Sequence, residues 1–192
     1  MNEFRFVVGA TREIRDGLST WISKIDEYLN LYYQGEEINA FGTDFFKCIS
    51  KTREIESNLF DRDDSFRGVI DDQNLLAAVC LIQETSIIFD GERLDCLELE
   101  SLTNSPWNTI DYPQVEKRKG AATSLLEGIV RESQASAFSG IVKLMAIPSA
   151  REFYQEIGFI DTDGSGEMIL IANTASMFLL TQEQNRELKP FD

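Results

Sequence analysis

Glu116-Lys117-Arg118-Lys119-Gly120-Ala121-Ala122-Thr123-Ser124-Leu125-Leu126 differs in charge and side-chain size from everything around it. Three consecutive cations occur here in a 192-residue chain whose formal net charge is -15. Three residues with little or no side chain follow. An apolar pattern of helical period then begins, with Leu125 and Ile129 at i,i+4 beside Leu126 and Val130. A loop that turns into a helix N-terminus in this order suits a phosphate. Backbone N–H groups and the helix dipole attract the anion, and small residues let it approach.

Upstream of this stretch the periods change in an informative order. Phe4 to Val8 predicts a short strand. Leu18, Trp21, Ile22, Ile25, Tyr28, Leu29 and Tyr32 predict an amphipathic helix, with Asp16 as its cap and Gly35 as its stop. A second helix is expected from Thr43 to Leu59. Asp61-Arg62-Asp63-Asp64 lacks the ligand spacing of a calcium loop and reads as a solvated turn. Gly68 to Asp71 and Leu75 to Ile82 flank Asp72-Gln73-Asn74 as a hairpin, and the second run is apolar enough for a strand buried on both faces. Ser86 to Phe89 reads as a short further piece before the Asp90-Gly91 turn. Leu94 to Leu102 then alternates, with Leu94, Cys96, Glu98 and Glu100 on one face and Leu97 and Leu99 on the other. Thr103 to Val115 reads as a loop.

Downstream, Ile141 to Ala146 predicts a strand closed by Pro148. Ser149-Ala150-Arg151-Glu152 matches a capping box, and the helix it opens stops at Gly158. Strands around Phe159 to Asp161 and Met168 to Ile171 are joined by a turn containing Asp161-Thr162-Asp163-Gly164. Ser176 to Leu180 reads as an edge strand before a polar tail. The order of elements predicts an α+β domain around one mixed sheet, a single domain over 1–192 with its motif-bearing core at about 67–172.

Composition excludes several chemistries. There is no histidine, which removes His-based triads, His metal sites and the commonest general base. The three cysteines, Cys48, Cys80 and Cys96, are widely spaced, as expected of reduced thiols in a cytoplasmic protein. No signal peptide or bilayer-spanning run is visible from Met1 onward, so no membrane partner is expected. The acidity argues against nucleic acid as a partner, because phosphate contacts need clustered basic residues. It suits a cationic small substrate better, unless the acidity serves solubility alone, which is the plainer reading.

Lys117-x-x-Gly120-x-Ala122, lying upstream of Ala150-x-x-Phe153-Tyr154-x-x-x-Gly158-Phe159, resembles the GNAT superfamily of acyl-CoA-dependent N-acetyltransferases. Leu99 to Asn108 is similar to the strand end that precedes the pyrophosphate loop in a bacterial branch of that family. The detailed likeness covers roughly Leu94 to Phe159. It departs in two places: Lys117 stands where Gln or Arg is usual, which loses the planar fork, and the segment from Pro106 to Glu116 is longer than usual.

The resemblance implies a mostly antiparallel sheet of about 6–7 strands flanked by about four helices, splayed between the fourth and fifth strands. It implies acetyl-CoA as co-substrate, with no metal. The backbone of Arg118, Lys119, Gly120, Ala121 and Ala122 would hold the pyrophosphate, with Lys117, Arg118 or Lys119 reaching further oxygens. Leu102, Thr103 and Asn104 would pair with the pantetheine arm, and Ser149 is either a further contact or a helix cap. Tyr154 falls where the family places the acid that protonates the leaving thiolate; the other reading is a core tyrosine, since it shares an apolar stripe with Phe153 and Ile157. Glu100 is the expected base, with Glu98, a water chain or a substrate-binding role as alternatives.

The function these readings converge on is acetyl transfer to a primary amine of a small molecule or peptide by direct attack, since no cysteine lies near the expected thioester. A non-catalytic acyl-CoA-binding or protein-interaction module on the same fold is the alternative. A toxin that acetylates charged tRNA fits the size but not the charge. A homodimer is compatible with the reading.

Overall fold

The computed structural model describes residues 4–188. Residues 1–3, part of the stretch searched for a leader, and 189–192, the end of the polar tail, lie outside the described residues. The chain runs β1 (Arg5–Val8), α1 (Arg12–Tyr32), α2 (Asp44–Glu56), β2 (Phe66–Ile70), β3 (Leu76–Phe89), β4 (Glu92–Asn104), α3 (Pro106–Thr109) and α4 (Ala121–Ala135). It continues through β5 (Val142–Met145), α5 (Arg151–Ile157), β6 (Ile160–Asp161), β7 (Glu167–Leu170) and α6 (Ala172–Glu187). The strands form one seven-stranded sheet in the order β1-β2-β3-β4-β5-β7-β6. It is mostly antiparallel, with β4 and β5 parallel from Leu97↔Val142 to Leu99↔Leu144. That ladder ends at Leu99, whereas β4 continues to Asn104. This is the α+β architecture the order of periods predicts.

The chain divides into two compact units. One, called N-terminal here, holds the described residues 4–81 together with Ser101–Leu125; the other holds Ile82–Glu100 and the described residues 126–188. In the N-terminal unit α1 buries Ile14, Leu18, Trp21, Ile25, Tyr28 and Leu29, the face its period of three and four predicts. Trp21 donates its indole N–H to the Leu76 carbonyl at 2.9 Å and meets Trp107 of α3 edge to face at 6.4 Å. Gly17 permits this approach, because a Cβ there would lie 2.5 Å from Leu76 Cβ. The C-terminal unit buries Ile87, Cys96, Ile141 and Ile169 together. Its helices α4 and α6 are joined through the buried Glu127, which accepts from Arg131 at 3.0 Å and from Arg186 at 2.7 Å.

Several expectations need correction. Thr11, not Asp16, caps α1, its hydroxyl accepting from Ile14 N; the helix starts one turn earlier because Ile14 extends the apolar stripe. Ser86 to Phe89 is the end of one long strand, β3. The loop after β4 contains α3, begun by Pro106 at its first position, where a missing N–H costs nothing. Ser149 does not cap α5: a 3-10 turn at Pro148–Ala150 precedes that helix, which begins at Arg151 with no side-chain cap. Ser176 to Leu180 is not a strand but the middle of α6, where Ala175, Phe178 and Leu179 are buried at helical spacing. The described α-helices number six, counting the single turn of α3. None of them is long and apolar enough to cross a membrane. Among the described residues no group of His, Cys, Asp or Glu could hold a metal ion.

Candidate functional site

The basic stretch folds as its composition dictates. Gly120 takes φ +91°, a left-handed conformation that a side chain resists, and turns the loop into α4. The first ladder bond runs from Ser124 N to Gly120 O at 2.9 Å. The N–H groups of Ala121, Ala122 and Thr123 precede it and have no intrahelical acceptor. No acidic residue occurs in the first turn of this fifteen-residue helix, so nothing there opposes an anion.

The three cations differ in what they do. Lys117 and Lys119 are exposed, with Lys117 Nζ 3.4 Å from the Ile110 carbonyl. Arg118 is turned inward, its side chain only 14% exposed. It donates to the carbonyls of Val115 at 3.0 Å and Lys117 at 3.2 Å, and its Nε lies 3.5 Å from Asp72. Its backbone N–H donates to Asn108 Oδ1 at 2.7 Å.

The end of β4 is gripped by α2. Ser101 is buried and donates to Glu54, which Lys51 also meets at 2.7 Å. Burial works against the Glu54 carboxylate, but the hydrogen bonds from Lys51 and Ser101 outweigh it and hold its pKa below the ordinary value. The Asn104 carbonyl accepts from Cys48 Sγ at 3.3 Å and from Thr103 Oγ1 at 3.2 Å. Burial pushes the Cys48 thiol up, so it is an inert donor rather than a nucleophile. Leu102, Thr103, Asn104 and Lys117 to Ala122 all belong to the N-terminal unit.

Tyr154 and Glu100 belong to the C-terminal unit. Tyr154 is buried on α5, edge-on to Phe153 at 5.1 Å and to Phe159 at 5.5 Å. The helix stops just beyond it at Gly158, φ +110°, as the sequence predicts. Glu98 and Glu100 occupy different surroundings despite sharing a strand face. Glu98 is held by Gln83 at 3.1 Å and by Lys143, its neighbour in the parallel ladder, at 3.4 Å. Glu100 is exposed. Beside Glu98, burial and the surrounding carboxylates raise the Cys96 thiol to about 11 against the opposing effect of Lys143.

No family model matches the chain, and no curated protein does. Solved structures do. A tyrosine-to-phenylalanine mutant of KacT matches with a TM-score of 0.52 at 12% identity, over 74% of this chain and 94% of that one. A GCN5-related N-acetyltransferase from Anabaena variabilis ATCC 29413 matches with a TM-score of 0.50 at 13% identity, over 82% of this chain and 32% of that one. The chain has the GNAT fold.

At these identities the GNAT likeness shows the fold alone. The matches also include the KacTA–DNA complex, with a TM-score of 0.48 at 14% identity over 68% of this chain and 86% of that one. The expectation that nucleic acid is excluded as a partner does not stand. Net charge describes one chain, whereas contact with DNA in an assembly can be made by another component or a local patch. Within the GNAT frame, sequence reasoning missed Asn108, Asp72, Glu54 and Ser101. Asp72 and Arg118 are 46 residues apart and Glu54 and Ser101 are 47 apart, so no local pattern signals either contact.

Proposed function

We propose that this protein is an acetyl-CoA-dependent N-acetyltransferase acting on a primary amine. The observation that carries the reading is Gly120 at φ +91° opening α4 behind exposed Lys117 and Lys119, within a GNAT fold. An anion such as a pyrophosphate fits amides without intrahelical acceptors at a helix start of this kind. The holding groups are the backbone of Lys119, Gly120, Ala121 and Ala122 with Lys117 and Lys119, while Leu102 and Thr103 meet the pantetheine arm; of the expected set, the Arg118 N–H is taken by Asn108 and the Asn104 carbonyl by Cys48 and Thr103.

The reaction is direct transfer. The neutral amine nitrogen forms a bond to the acetyl carbonyl carbon as the carbon–sulfur bond breaks. The Tyr154 phenol gives its proton to the departing thiolate, and the proton lost by the amine passes to Glu100 directly or through water. Glu98 suits the base role less, because Lys143 and Gln83 already engage its carboxylate. The amide product and free CoA account for every atom.

Calorimetric titration with acetyl-CoA, followed by release of free thiol over a panel of small and peptidic amines, tests this reading. Saturable binding with turnover of at least one amine is expected. Absence of acetyl-CoA binding removes the reading, and binding without turnover favours a module that only holds the acyl-CoA.

A further inference from the structure

Arg118 is the middle cation of the basic stretch, yet its Nη1 donates to two carbonyls of the loop itself and its Nε lies 3.5 Å from Asp72. The peptide that joins Lys117 to Arg118 is held on both edges: its carbonyl accepts from the Arg118 guanidinium at 3.2 Å, and its N–H donates to Asn108 Oδ1 at 2.7 Å. A trans peptide is planar with its C=O and N–H directed oppositely, so two such bonds stop the plane from rotating. The guanidinium is itself anchored by the Val115 carbonyl at 3.0 Å and by Asp72 at 3.5 Å, on the turn between β2 and β3. Asn108 comes from α3, whose neighbouring Trp107 is buried against Trp21 of α1. Two residues beyond the pinned plane the chain reaches Gly120 and α4. The direction of the next amides therefore depends on this plane.

We propose that Arg118 is a positioning residue of the loop and not a ligand of the anion, and that Asp72 and Asn108 are the groups that hold it in that role. The inference rests on the acyl-CoA reading for its ligand, but not for its geometry. It carries an unusual sign. Asp72 puts a negative charge beside an anion site, so by charge alone its removal would strengthen CoA binding. As part of a brace its removal weakens binding, because the amides of Lys119 to Ala122 lose their fixed direction.

The test uses the full chain with Asp72→Ala, Asn108→Ala and Asn108→Asp, the last keeping an oxygen acceptor for the Arg118 amide. Backbone order parameters of Arg118 to Ala121 are measured by nitrogen-15 relaxation without ligand, with the amides of Leu126 to Val130 as the control. Asn108→Ala and Asp72→Ala lower the loop values from the rigid range near 0.85 towards 0.6 and leave the control unchanged, and Asn108→Asp restores them. The Kd for CoA rises about tenfold in Asn108→Ala and about threefold in Asp72→Ala, as loss of one or part of one hydrogen bond implies. Unchanged order parameters in both alanine variants, or tighter CoA binding by Asp72→Ala, overturns the proposal. If the unsubstituted protein binds no CoA, the acyl-CoA reading falls, while the order parameters still decide the brace.

Discussion

Gly120 sits at φ +91° in open space, with only Phe4 Cε2 in reach, 3.9 Å from where a Cβ would stand. The demand for glycine is therefore conformational and not steric. Gly120→Ala costs about 1 kcal/mol in a urea melt, the strain of a left-handed residue with a side chain. Because the strain is relieved by turning the peptide that carries the first amides of α4, CoA binding weakens severalfold as well. An unchanged affinity would show that this turn does not shape the anion site. Tyr154 poses a different question, since its ring lies in a packed aromatic cluster and its hydroxyl is the proposed acid. Tyr154→Phe keeps the ring and removes only the proton donor. We expect kcat to fall about tenfold or more with KM for acetyl-CoA little changed. A drop in thermal stability with unaltered kcat would assign the residue to the core alone.

Among the elements, α4 and α6 are coupled by charge. Glu127 is 11% exposed at its side chain and accepts from both Arg131 and Arg186, and Arg131 also meets Glu183 at 2.8 Å. Burial disfavours the Glu127 carboxylate, yet the hydrogen bonds from Arg186 and Arg131 prevail and its pKa lies below the ordinary range. A depressed folded pKa means stability that is complete above the unfolded value, roughly 4.3, and lost as pH falls through the folded one. Glu127→Gln should therefore cost about 2 kcal/mol at pH 7, and the gap should narrow below about pH 4. Urea melts of the two proteins across that range decide it; a constant gap would mean packing, not charge. The same helices show how far the sequence could be read. The period of α1 and of α4 was legible because long stripes repeat over several turns. The α6 helix was not, because Met177-Phe178-Leu179-Leu180 is a short apolar run that either a strand or a helix can contain. Its burial of Phe178 and Leu179, with Met177 and Leu180 exposed, emerges only with the fold. The loop motif and the Gly158 stop could be read from local chemistry, whereas Asn108, Asp72 and Glu54 act through tertiary contacts that leave no local mark.

At the scale of the whole molecule the dominant physical fact is a formal net charge of -15 carried by 33 acidic against 18 basic residues. Such a field attracts cations from a distance and repels the anionic acyl-CoA, so the two substrates should respond to salt in opposite senses. Lowering the ionic strength from 0.15 M to 0.01 M lengthens the Debye screening distance from about 8 Å to about 30 Å. The attraction felt by a polyamine then spans much of the protein, whereas that felt by a monoamine is smaller in proportion to its charge. We therefore expect kcat/KM for a tetra-amine to rise roughly tenfold over this change, the low end of electrostatic steering, and for a monoamine much less. KM for acetyl-CoA should rise over the same change, because the local cations Lys117 and Lys119 must work against a stronger long-range repulsion. Initial rates measured at several salt concentrations separate the two effects. A tetra-amine and a monoamine that respond alike would mean that acidity serves solubility and does not select the acceptor.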